Sequence, residues 1–258
     1  MNEIFSYITT AKIDAKLHKD ILAHEDKIEK ILIVILCILL ILFNSWIVCW
    51  LRFGIAVPCA YERSSINTFD APVQTDYNDE EKAAKTFIYK SLINDYKVKL
   101  MPQAHYKLSG SVAAYDYGFL FIDDYFNSIA LYDAGIAWEK LSDKKFYNTY
   151  FTSYIDRSAA ANSRVIYTKF KPELMPLSDE YLKTHFSHSH IIPANRNIMA
   201  AMLKLKKWDK VKIEGELVDL KYHKTSLSRN DTNDTSRGNS ASEIIYVTSV
   251  QIGHYIYK

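Results

Sequence analysis

From Ile31 to Phe43 every residue is apolar, and after Asn44 and Ser45 the run resumes from Trp46 to Leu51. Nothing else in this chain narrows its possible folds as much. As one helix, residues 31–51 would extend about 31 Å, the thickness of a bilayer's hydrocarbon layer. Trp46 and Trp50 stand near the distal end, where amphipathic rings prefer the headgroup level, and Arg52 closes the run. The sequence therefore predicts one transmembrane helix over residues 31–52. The run starts late and is long for the apolar part of a signal peptide, and Ala56-Val57-Pro58-Cys59-Ala60 is a poor cleavage site. An uncleaved anchor is expected. Lys12, Lys16, Lys19, Lys27 and Lys30 precede it, against Arg52 and Arg63 just after it. That asymmetry places the N-terminus in the cytoplasm and exports the larger part of the chain.

Residues 1–30 read as a cytoplasmic amphipathic segment, with Ile13, Leu17, Ile21 and Ile28 at helical spacing. Two readings stay open: a helix on the inner headgroups, or a seam through which residues 11–52 form a homo-oligomer or meet a partner. Of 32 basic and 30 acidic residues, six of each lie in residues 1–59, so the remainder is nearly neutral. Nucleic-acid binding needs a basic excess to meet phosphates, and none is present. Cys37 and Cys49 fall inside the apolar run, leaving Cys59 alone outside it, which excludes a disulfide-stapled domain.

Aromatic residues make up 14% of the chain, with 19 Tyr against 7 Gly, and this composition favours strands. Residues 53–82 read as a polar linker and residues 83–258 as a β-rich domain. Segment 79–96 fits a helix opened by Asp79, Glu80 and Glu81, and also a hairpin turning at Asn94-Asp95, which is preferred. Strands are expected at 106–112, 129–138, 146–152, 164–170, 211–218 and from 243 onward, with a helix over 195–207 capped by Asn195. This order gives an α+β, mainly β fold: a small OB-like β-barrel domain with one packed helix after the N-terminal transmembrane helix.

Three stretches carry a resemblance. They are Ser189-His190-Ile191-Ile192-Pro193, Trp208 through Leu217, and Ser226-Leu227-Ser228-Arg229-Asn230-Asp231-Thr232 continuing into Gly238–Glu243. Together they resemble an uncharacterised family of bacterial single-pass membrane-anchored proteins with a β-rich soluble domain. Family members run Ser-x-x-Arg-x-Asp-x-Gly-x-Gly-Ala-Cys-Glu without a break. This chain inserts Asn233–Arg237 and carries Ser240 and Ser242 where Gly and Cys are usual. A further, weaker match covers Ala130–Trp138. The resemblance implies a bacterial inner-membrane location with the C-terminal domain periplasmic; it implies no activity and no cofactor.

Arg229, Asp231 and Glu243 are the charged members of that motif. They read as a ligand-binding polar cluster, or as a salt-bridged staple of a long hairpin loop. His185, His188 and His190 read as a metal-ligand cluster, because positions 188 and 190 of a strand point the same way. Against this, no Asp, Glu or Cys follows at a zinc-hydrolase spacing, and His190 alone reads as a hydrogen-bonded structural residue before Pro193. Asp116 with Asp123 and Asp124 could form a carboxylate pair or lie in a solvated loop. No Gly-x-Ser-x-Gly elbow and no phosphate-cradling Gly-rich loop occurs. The expected function is a binding or assembly module of the cell envelope, taking a protein partner or a glycan. A subunit of a secretion or conjugation channel, or a metal-dependent envelope hydrolase, are the alternatives.

Overall fold

The computed structural model describes residues 27, 28, 30–39, 53–117, 125–156, 165–170, 177, 178, 181, 184–223, 225–227 and 242–258. The chain divides into two units, Met1–Arg52 and Phe53–Lys258. In the first, residues 30–39 are helical and their apolar side chains are exposed. No helix among the described residues is long and apolar enough to cross a membrane. This corrects the expected transmembrane helix over 31–52 and the single-pass inner-membrane placement built on it. Residues 40–52, with Trp46, Trp50 and Arg52, lie outside the described residues, as does most of the segment 1–30.

The second unit is mainly β. Its strands are β1 (Ala60–Tyr61), β2 (Val73–Asp76), β3 (Phe87–Lys90), β4 (Lys97–Tyr117), β5 (Tyr132–Ala137), β6 (Phe151–Asp156), β7 (Val165–Phe170), β8 (Phe186–Pro193), β9 (Lys210–Tyr222), β10 (Thr225–Leu227), β11 (Ser242–Ile252) and β12 (Tyr255–Tyr257). Its helices are α1 (Asp79–Lys85), α2 (Tyr125–Ile129), α3 (Lys144–Tyr150) and α4 (Arg196–Met202). Ten strands share one sheet, while β6 and β7 pair with each other. Within the large sheet, ladders run β4 to β5, β5 to β8, β8 to β11, β11 to β9 and β9 back to β4, so five strands close a circuit. The β8–β11 ladder is parallel and the other four are antiparallel.

This arrangement corrects the small OB-like barrel with one packed helix. The sheet has ten strands, and several short helices accompany it. Strand β4 shows why the sheet is large. Val98, Leu100, Ala104, Tyr106 and Leu108 alternate inward along it, and it runs through Pro102 by a bulge that spares the proline a ladder donor. One flank of β4 pairs along β9, while the other takes β3, β2 and then β5.

Residues 53–82 are part of the fold and not a linker. Phe53, Ala56, Ile66 and Thr68 are buried, and β1 and β2 join the sheet. The Asn197 side chain accepts from the Val57 N–H (2.7 Å) and donates to the carbonyls of Val57 (3.0 Å) and Lys258 (2.9 Å), pinning this segment to α4. Segment 79–96 turns out to be both of its readings in succession. Asn78 and Glu81 form a capping box on α1, then β3 forms a hairpin with the start of β4. Segment 146–152, expected as a strand, is helical to Tyr150 because Asp143 caps α3 at the Phe146 N–H (2.6 Å).

Candidate metal centre

Strands β5 and β8 run antiparallel with Asp133 opposite His190 and Gly135 opposite His188. Residues directly opposite in a ladder share a face, and alternate residues of one strand share a face. Asp133, His188 and His190 therefore project to the same side. Each offers one ligand atom, and these atoms lie within 4.8 Å of one another. His190 Nδ1 is 2.7 Å from Asp133 Oδ1, and both side chains are sealed from solvent. The two imidazole rings lie 4.4 Å apart. His190 Nε2 is buried and hydrogen-bonds to nothing among the described residues.

The local sequence explains the placement. Phe186, His188, His190 and Ile192 occupy one face of β8, so two histidines are set into a row of large apolar side chains. Phe126, carried by α2, meets His190 edge to face at 5.0 Å. On the other side Phe186 lies over Gly135; a Cβ there would come 2.5 Å from the Phe186 Cζ. A glycine at 135 thus lets an aromatic ring close over the strand beside His188. His188 is half-buried, whereas Asp133 and His190 are fully enclosed. Asp116, buried on β4 directly opposite Asp133, brings a second carboxylate to the same face; its Oδ1 accepts from the Tyr117 N–H at 2.8 Å. It is a buried strand residue, not part of a solvated loop. Asp123 and Asp124 lie outside the described residues.

The third histidine of the predicted cluster goes elsewhere. The His185 ring stacks on Tyr181 with centroids 3.8 Å apart, and its Nδ1 is 2.8 Å from both the Tyr181 carbonyl and Thr184 Oγ1. Its Nε2 lies 3.2 Å from Glu139 Oε2, which also accepts from the Tyr181 hydroxyl at 2.9 Å. Burial, reinforced by Glu139, pushes the Tyr181 phenol up to about 12. This is a separate constellation at the entry to β8.

Glu243 is buried on β11 opposite Ser189, hence on the other face of the sheet from His190, near the hydrogen-bonded pair Ser187–Ser189 (3.0 Å). Its two predicted companions, Arg229 and Asp231, lie outside the described residues. Sequence reasoning missed Asp133 altogether. It precedes His190 by 57 positions, and only strand pairing brings it near.

Two imidazoles and one carboxylate form a donor set suited to a borderline transition metal such as zinc, cobalt or iron(II).

Comparison with protein-family models, curated proteins and solved structures returned no match.

Proposed function

We propose that the β-rich unit is a binding module that holds a divalent transition-metal ion through Asp133, His188 and His190. The observation that carries the reading is the approach of the three donors to within 4.8 Å on one sheet face. Burial supports it. Polar groups taken from water need partners, and an imidazole nitrogen enclosed among phenylalanines gains most from an ion. The near-neutral charge of the domain and the absence of a nucleophile elbow are consistent with binding through the centre rather than with hydrolysis by a serine.

The test is titration of the full chain, stripped with a chelator, with Zn(II) or Co(II) under calorimetric readout. One ion per chain is expected. His188→Ala and His190→Ala should each abolish tight binding, and Asp133→Asn, which removes the one anionic donor, should weaken it markedly. His185→Ala should leave affinity unchanged, because His185 is committed to Tyr181 and Glu139. Absent stoichiometric binding, or binding indifferent to His188, overturns the proposal.

A further inference from the structure

We infer that Asp116 acts on the ion without binding it, as the residue through which this centre selects a cation by its charge. The inference rests on the metal reading above and names a specificity-determining residue of the same site. Strands β4, β5 and β8 are successive neighbours, and their ladders set Asp116 opposite Asp133 and Asp133 opposite His190. Residues directly opposite share a face, so the three form one row across the sheet. All three side chains are buried. Asp116 is not one of the donors that lie within 4.8 Å of one another. It stands one strand further out, with its Cβ about 4.5–5.5 Å from that of Asp133, the spacing of directly opposed strand residues.

Two acids directly opposite one another on a buried face repel, and a cation held by one of them relieves the other as well. Asp116 Oδ1 accepts from the Tyr117 N–H at 2.8 Å, which satisfies an oxygen but brings no formal charge. The carboxylate adds its field at the ion whatever else it touches. A buried charge this near is weakly screened, and its attraction grows in proportion to the charge of the ion. A divalent ion therefore gains more from Asp116 than a monovalent one, and a trivalent ion gains more again. Asp133 and the two imidazoles supply the bonds, while Asp116 supplies the discrimination by charge.

The experiment compares the full chain with Asp116→Asn, which keeps the volume and an oxygen for the Tyr117 N–H. With Co(II) as the probe, the variant should bind about 10- to 100-fold more weakly. Its visible bands should be unchanged, because the donors are the same. Loaded with iron, the variant should also show a raised Fe(III)/Fe(II) potential. Losing one negative charge costs the trivalent ion about 3- to 10-fold more than the divalent one, a rise of about 30–60 mV. A merely structural role would weaken both oxidation states alike and leave the potential where it was. Asp116→Ser, neutral and smaller, should show the same two shifts, which separates charge from side-chain volume. Parent-like cobalt affinity in Asp116→Asn, or an unmoved potential, overturns this inference and leaves the metal reading standing. A parent chain that binds neither cobalt nor iron removes both.

Discussion

Asp133 and His190 form the most enclosed polar contact of the site, at 2.7 Å with both side chains sealed. Breaking such a pair by removing one partner leaves the other buried without compensation, at a cost of a few kcal/mol. Asp133→Asn keeps the volume and a hydrogen-bonding oxygen, which makes it the informative change for metal affinity. Elsewhere, burial governs the tyrosines. Tyr89 and Tyr132 are pushed well above the ordinary phenol value, and Tyr147 is raised too, first by loss of solvent. For Tyr147, hydrogen bonds with Ser153 and Thr168 pull the other way. In the unfolded chain these phenols ionise near pH 10, while in the folded protein they stay protonated. Above pH 10 the folded state thus holds more protons than the unfolded one. Stability should fall with rising pH, by about 1.4 kcal/mol per unit for each such phenol. Phenolate absorbance followed beside circular dichroism tests this. The buried tyrosines should ionise only as the fold is lost. Free ionisation of all 19 with the fold intact would contradict it.

Elements pack through a few points of close approach. Gly215 on β9 lies between Tyr106 of β4 and Val247 of β11, and a Cβ there would fall 2.1 Å from the Tyr246 carbonyl oxygen. Backbone cannot yield as a flexible side chain can, so Gly215→Ala should destabilise the fold by about 3 kcal/mol. Urea denaturation measures this, and a loss under about 0.5 kcal/mol, the range of ordinary surface changes, would contradict the packing described. Much at this scale was legible in the residues. The alternation of Val211, Ile213, Leu217 and the Asn195 cap announced β9 and α4, because both signals are local. Other features were not local. Aromatic residues 146–150 carry a strand-like composition, yet the Asp143 cap sets them in a helix. Ile66 sits in a polar stretch yet is buried, and Phe53 belongs to the core cluster that α4 completes. Asp133 is the clearest case: its partner is fixed by β5–β8 pairing, which no spacing in the sequence displays.

At the scale of the molecule, the apolar run that dominates the sequence and the site that dominates the fold belong to different units. Residues 30–39 form an exposed apolar helix in the first, and none of the described helices has the length and apolarity to cross a bilayer. The second unit holds the donors on β5 and β8, two neighbouring strands of the closed circuit. A site anchored on paired strands of a sheet is held more firmly than one on loops, which suits a centre whose task is to keep three donors in place. The most direct test of that task is X-ray absorption at the zinc edge on the zinc-loaded full chain. Two imidazoles and oxygen at about 2.0–2.1 Å are expected, and His188→Ala should retain no stoichiometric zinc to give that spectrum. Zinc bound without imidazole scattering, or a spectrum unchanged in His188→Ala, would contradict it.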